Sequence, residues 1–288
     1  MKTKIAFIIY RKWAYEIFNK ILNFQKESKN FEVKLLITTP SHEFSLDNIK
    51  DVMINVVKGD ENNKIDELLK KNAIDLALFY GWSWMVKKEI VKDFLCLCLH
   101  PSPLPKYRGG SPIQNQIING EKNSAVTVFR MTDGIDNGDI YMQKPISLRG
   151  DINHIFRRMV QKGSLITKRL INDTEKGKLK FIPQKDLAKN PPSKRRLPED
   201  SKIKLEMLKK MNFVDVNNLI RGLLFPYPNA YILVNSKKIN LQKIKKVPKP
   251  VNTSCIIKEA TSTIQEGHLF LKLSDCYAKL VKYKIEDL

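Results

Sequence analysis

Short apolar runs punctuate the first hundred residues, at Ile5–Tyr10, Val33–Thr38, Val52–Val57, Leu76–Tyr80 and Leu95–Leu99. Each has the length of a strand, and the spacers between them carry apolar residues at three- and four-residue intervals. In the first spacer Trp13, Ile17, Ile21 and Phe24 fall on one helical face, an ordinary core stripe that packs on the sheet. Strand and helix signals in alternation predict a parallel sheet with crossover helices. Two further strand-like runs, Ala125–Met131 and Ile140–Ile146, precede a long helix with apolar positions at Ile152, Ile155, Phe156, Met159, Ile166 and Leu170.

The texture then changes. From Gln184 to Lys204 the chain carries Pro191, Pro192 and Pro198 among many charges, the composition of a linker. Beyond it a short helix around Val216–Leu224 leads through Pro226-Tyr227-Pro228 into runs rich in β-branched residues: Ala230–Val234, Lys238–Lys243, Ser254–Lys258, His268–Leu273 and Ala278–Tyr283. The expected architecture is an α/β, Rossmann-like domain over 1–183, with a mostly parallel sheet and helices on both faces. A linker follows over 184–203, and a small C-terminal β-rich domain over 204–288.

Length and composition fit this picture and narrow the function. The 288 residues suffice for a buried core, and 42% apolar with 28% charged residues is the balance of a folded soluble chain. The net charge of +21 favours a polyanionic partner, such as nucleic acid or a phosphorylated substrate. The lysine-rich run from Lys237 to Lys249, six lysines and no acid, reads as a solvated rim. No run approaches the ~20 apolar residues that span a bilayer, so no membrane role is expected. The N-terminal apolar run is too short for a signal peptide, and a cytoplasmic location is expected. Cys96, Cys98, Cys255 and Cys276 form no CxxC pair, so neither a disulfide framework nor a metal site is expected. The turn after the first strand, Tyr10-Arg11-Lys12-Trp13, lacks the glycines of a dinucleotide fingerprint, and no GxxxxGK[ST] loop occurs anywhere.

Two constellations carry chemistry. At the end of the fifth strand stands His100-Pro101-Ser102-Pro103-Leu104-Pro105-Lys106-Tyr107-Arg108-Gly109-Gly110, where an open α/β sheet places its ligand crevice. Three prolines in five residues stiffen the loop, and the paired glycines admit close approach of a ligand. The second is the turn-rich loop Met131-Thr132-Asp133-Gly134-Ile135-Asp136-Asn137-Gly138-Asp139 between two strands. Its carboxylates also suit tight turns, and Asp136 is the one expected nearest His100.

These residues, with Ser111–Gly120, Ala125-Val126-Thr127, Arg196–Ile203 and Leu219–Ala230, closely resemble the folate-dependent formyltransferase family, which includes methionyl-tRNA, glycinamide ribonucleotide and sugar-nucleotide enzymes. His100 and Asp136 stand 36 positions apart, the spacing of that family's catalytic pair. The resemblance implies 10-formyltetrahydrofolate as donor, held by Trp82, Trp84, Met85 and Val86 on one side and by Asp133, Gly134, Ile135 and Asp139 on the other. It implies catalysis by His100, Asp136 and the residue at position 98, and an acceptor near Ser102, Pro103, Lys106, Arg108 and Gly109. His100 would donate a hydrogen bond to the formyl oxygen while Asp136 fixes the imidazole and takes the amine proton.

Two departures stand out. The family has asparagine two residues before the histidine, where this chain has Cys98, and a thiol is a far weaker donor than an amide. Ala125 stands where a glycine is commoner. The tRNA enzymes carry a basic insertion after the second strand, whereas Thr38–Asp47 is short and holds no Lys or Arg. The expected acceptor is therefore a nucleotide-linked amino sugar. Methionyl-tRNA is the alternative, and a catalytically silent folate- or RNA-binding homologue the third. A homo-oligomer is compatible with the sequence.

Overall fold

The computed structural model describes residues 2–28, 30–40, 42–248 and 269–287. The chain divides into two compact units. One comprises 1–112, 123–147 and 155–193, the other 113–122, 148–154 and 194–288. The division at 193/194 falls inside the proline-rich stretch expected as a linker, and 184–193 belongs with the first unit.

The first unit holds a seven-stranded sheet of order β3-β2-β1-β4-β5-β6-β7. The strands are β1 (Thr3–Ile9), β2 (Phe31–Thr38), β3 (Met53–Val56), β4 (Leu76–Tyr80), β5 (Leu95–His100), β6 (Asn123–Arg130) and β7 (Ile140–Ser147). Pairings from β3 to β5 are parallel, and β5–β6 and β6–β7 are antiparallel. The central β4 is buried along its whole length, as a strand covered on both faces must be, which is why it reads as an unbroken apolar run. Edge strand β7 tolerates Pro145, whose missing N–H removes no interior ladder bond. Helices α2 (Asn62–Lys71) and α3 (Lys88–Asp93) pack Ile65, Leu69, Ile90 and Val91 with Ala6, Ile8, Ala77 and Phe79 on one face of the sheet. Helix α1 (Lys12–Glu27) and the long helix α5 (Ile152–Glu175) cover the other. Phe18 of α1 meets Phe7 edge-on at 5.4 Å, and Thr167 of α5 lies 3.0 Å from the Tyr80 hydroxyl. Among the described residues no helix is long and apolar enough to cross a membrane.

The second unit contains a four-stranded antiparallel sheet of order β10-β11-β9-β8, from β8 (Ala230–Val234), β9 (Lys237–Val247), β10 (Phe270–Lys272) and β11 (Tyr277–Asp287). Its core joins Val216, Leu219 and Ile220 of helix α7 (Phe213–Gly222) to Ile232, Leu241 and Leu280. An Asn212 side chain caps α7 by accepting from the Asp215 N–H at 2.9 Å. The short α4 (Pro112–Ile118) contributes Ile118 to this core, and the Arg221 guanidinium donates to the Leu148 and Gly150 carbonyls. The strand-like run at Ser254–Lys258, with Cys255 and His268, lies outside the described residues. The short helix α6 (Leu205–Leu208) also belongs to the second unit.

Strand β7 is tied to α5 by one buried carboxylate. Asp173 Oδ2 accepts from the Tyr141 hydroxyl and from Arg169 Nε, both at 2.8 Å. The Arg169 guanidinium, then the Tyr141 hydroxyl, hold this carboxyl below its ordinary pKa despite its burial. A lowered folded pKa stabilises the protein above the unfolded value of about 4 and ceases to as pH falls through the folded value. Asp173→Asn therefore melts below the wild type at pH 7, by roughly 2–4 °C. Melting curves taken down to acidic pH will show the gap closing below about pH 4; a gap independent of pH would contradict this role.

Candidate active site

The three strands β4, β5 and β6 set the floor of a cavity. Phe79 is in register with Cys98, and Cys98 with Phe129, so three side chains from adjacent strands stand side by side on one face. Cys98 and His100 share that face, being two residues apart on β5. The wall opposite is the segment after β4, where Trp82 and Trp84 meet at 5.0 Å and Trp84 meets Tyr10 edge-on at 5.3 Å. Gly59 makes room for Trp84, because a Cβ there would stand 2.0 Å from the indole. The loop after β6 closes the third side with Met131, Thr132, Gly134, Ile135 and Asp136. The enclosed and open space together amount to about 530 Å³.

Asp136 is placed by its backbone. Its φ of +46° is in the left-handed region, and Oδ2 accepts the Gly109 N–H at 2.8 Å. The same oxygen lies 3.4 Å from His100 Nδ1, with the imidazole nearly buried. On its other side His100 Nε2–H donates to the Tyr107 carbonyl at 2.8 Å. A carbonyl can only accept, so Nε2 carries hydrogen and Nδ1 is the nitrogen that can gain or give a proton. His100 does not border the cavity, whereas Asp136 does, and Asp136 Oδ1 has no hydrogen bond among the described residues. The expected pair thus meets, but with the carboxylate in front and the imidazole behind.

Cys98 borders the cavity beside Asp136. Burial, then the neighbouring Asp136 charge, push its thiol well above the ordinary cysteine pKa. It therefore stays an S–H, a weak donor and no nucleophile. Trp82, Trp84, Met85, Val86, Gly134 and Ile135 all line the cavity as the resemblance implied, with Met85 and Ile135 the more exposed. Asp133 and Asp139 do not; both side chains are exposed.

The residues expected to bind the acceptor are largely occupied in building the loop. Ser102 Oγ donates to the Lys106 carbonyl at 2.7 Å, and the Ser102 carbonyl accepts from Thr127 Oγ1 at 2.6 Å. Arg108 is buried and donates to the carbonyls of Ile135, Leu187 and Asn190 at 2.8–3.1 Å, so its guanidinium is a clamp on backbone. Gly109, with φ +85°, bridges to Ser193, whose carbonyl would stand 2.5 Å from any Cβ. Pro103 is half-buried, and only Lys106 projects into solvent. Sequence reasoning passed over Phe79 and Phe129, which line the cavity, and Gln184, whose Nε2 donates to the Asp136 and Gly138 carbonyls; Met131 and Thr132, named within the loop but given no role, line the cavity too. The strand positions could have been found from the period-two alternation that puts them on the face of Cys98. Gln184 left no signal, because its partners are backbone atoms.

Comparison with known proteins follows the same lines. A methionyl-tRNA formyltransferase of Halalkalibacterium halodurans is 34% identical over 172 residues, 59% of this chain and 50% of that protein. The chain thus spans about half the length of the curated relatives with the strongest matches. A second, from Thermodesulfovibrio yellowstonii, is 31% identical over 222 residues, 74% of this chain and 69% of its own length. Among solved structures, a methionyl-tRNA formyltransferase from Clostridium thermocellum superposes with a TM-score of 0.63 at 23% identity, over 84% of this chain and 93% of that one. A 4-N formyltransferase from Francisella tularensis does so with a TM-score of 0.65 at 19%, over 81% and 93%. HypX of Aquifex aeolicus in complex with tetrahydrofolic acid reaches 0.68 at 16%, over 97% of this chain and 43% of that one. The formyl transferase family model matches residues 4–164, more than half of the sequence, and the chain belongs to that family.

Proposed function

We propose that the chain transfers a formyl group from 10-formyltetrahydrofolate to the primary amine of a nucleotide-linked amino sugar. The observation that carries this reading is the Asp136 carboxylate on the wall of an apolar cavity, with His100 3.4 Å behind it. That cavity is open to solvent on one side, so a ligand can enter it. Its aromatic and thioether walls suit a flat heteroaromatic ring. The Trp82 indole N–H, buried with no partner among the described residues, is a donor that the polar edge of such a ring would satisfy. The donor supplies a formyl carbonyl on a nitrogen able to leave, and Trp82, Trp84, Met85, Val86 and Ile135 would hold its ring.

Asp136 accepts the proton that the amine loses as its nitrogen bonds to the formyl carbon. His100 Nδ1 is the next station for that proton, and the pair returns it to the departing nitrogen. Tyr107 keeps Nε2 out of this traffic. Charge developing on the formyl oxygen meets the Cys98 S–H, which supplies less stabilisation than an amide would.

The loop between β2 and β3 supports a small acceptor. Glu43 pairs with Arg11 and accepts from the Lys12 N–H at 3.2 Å, while Phe44 stacks on Tyr15 at 4.2 Å. Glu43 neutralises Arg11, and the stretch 38–47 supplies no cation of the kind that phosphate contacts need. Methionyl-tRNA is the second reading, favoured by the names of the curated relatives.

Incubation with 10-formyltetrahydrofolate, a panel of aminosugar nucleotides and aminoacylated initiator tRNA, followed by mass spectrometry, separates the readings. One aminosugar nucleotide gains a formyl group, and Asp136→Asn lowers that rate by about 10²–10⁴. Formylation of the tRNA alone overturns the sugar assignment, and no consumption of the donor overturns both. Restoring the amide with Cys98→Asn raises kcat by about tenfold or more, whereas Cys98→Ala lowers it. Equal rates in both variants would remove Cys98 from the account.

A further inference from the structure

Gln184 stands outside every element of the sheet and helix scaffold, 48 residues from Asp136, yet its amide Nε2 reaches two carbonyls of the Asp136 loop. It donates to Asp136 O at 3.0 Å and to Gly138 O at 2.7 Å. Beside it Arg108 Nη1 donates to Ile135 O at 3.1 Å. The carbonyls of 135, 136 and 138 are thus all engaged by side-chain donors. With its carbonyl so held and φ at +46°, the Asp136 side chain is turned to the cavity and to Gly109 N–H. A non-glycine residue in the left-handed region is strained by about 1 kcal/mol or more and persists only where its surroundings impose it. Gly138 closes the turn tightly, since a Cβ there would stand 1.8 Å from the Arg130 carbonyl.

The Gln184 amide engages only through its donor nitrogen. Its Oε1 is buried with no hydrogen-bond partner among the described residues, a state that costs free energy and that nothing in local folding requires. What the amide contributes is therefore its two-pronged N–H donor, whose loss leaves the Asp136 and Gly138 carbonyls without these bonds.

We propose that Gln184 is the positioning residue of the site: it fixes the Asp136 backbone so that the carboxylate faces the reacting atoms and His100 Nδ1 together. The inference rests on the reading of Asp136 as the proton acceptor, and goes beyond it by giving the stretch after Ile182 a part in placing that carboxylate. That stretch is anchored independently by the Ile140–Ile182 bridge and by Arg108 on Leu187 and Asn190. Loss of the amide therefore frees the Asp136 carbonyl without releasing the chain.

The test uses the full chain with Gln184→Met, which keeps length and removes both donors, and Gln184→Glu, which sets a carboxylate against two carbonyls. Steady-state kinetics, the pH dependence of kcat and thermal unfolding are measured for each, with Asp136→Asn as control. Both Gln184 variants are expected to lose about 10- to 100-fold in kcat. KM for donor and acceptor stays within about twofold, because the cavity walls are untouched. In Gln184→Glu the acid limb of the kcat profile moves to higher pH, as a like charge near Asp136 requires. A merely structural role would lower the melting temperature and leave kcat of folded Gln184→Met near that of the wild type. Should Gln184→Glu fail to fold, Gln184→Met alone decides. A kcat within twofold of wild type, or a loss carried in KM, overturns the proposal while Asp136→Asn remains inactive. An active Asp136→Asn instead overturns the reading of Asp136, whatever the Gln184 variants do.

Discussion

Everything in the site follows from how one imidazole is bound. His100 Nε2–H is held by the Tyr107 carbonyl, which leaves Nδ1 facing the carboxylate of Asp136. A ring whose Nε2–H is held on that carbonyl presents only Nδ1 to its neighbours. It can only exchange a proton with the group between it and the cavity. The order of the pair, carboxylate in front and imidazole behind, is therefore set by a backbone carbonyl in a loop stiffened by prolines, and Tyr107 presents that carbonyl from a left-handed conformation, φ +59°.

The surrounding hydrogen bonds serve that arrangement. Thr127, in register with His100, holds the Ser102 carbonyl, and Gln143 joins Thr127 to the Leu104 carbonyl. Arg108 and Gln184 hold the opposite loop. Most polar side chains that a reader of the sequence would give to a substrate are instead satisfied by main-chain groups, as buried donors must be. The cavity wall itself is left to aromatic, aliphatic and sulfur-bearing residues and to the loop that carries Thr132, Gly134 and Asp136.

The sheet was legible because its physics is periodic. The apolar runs at Ile5, Val33, Leu76 and Leu95 each became a parallel strand, and the Trp13–Phe24 stripe became α1 packed against the sheet. His100 and Asp136 were legible as well, one from its place at the carboxyl end of a strand and both from a long motif. Arg108 was not, since a buried arginine serving carbonyls and an exposed one awaiting phosphate look alike in a sequence. Nor was Gln184, in a stretch whose prolines and charges read as a linker although it is packed into the first unit. Asp133 and Asp139 illustrate the converse, carboxylates beside Asp136 that face solvent.

Burial and the neighbouring Asp136 charge keep the Cys98 thiol protonated, a weak S–H donor on the cavity wall. The arrangement of carboxylate, imidazole and thiol is thus tested by where a bound formyl group comes to rest. A crystal structure of the chain with 5-formyltetrahydrofolate, a stable analogue of the donor, addresses it directly. The account predicts the ring between Trp82 and Ile135, an Asp136 oxygen nearest the formyl group, and His100 Nε2 still on the Tyr107 carbonyl. A His100 ring swung off that carbonyl to meet the formyl oxygen, with Asp136 turned away, would contradict it.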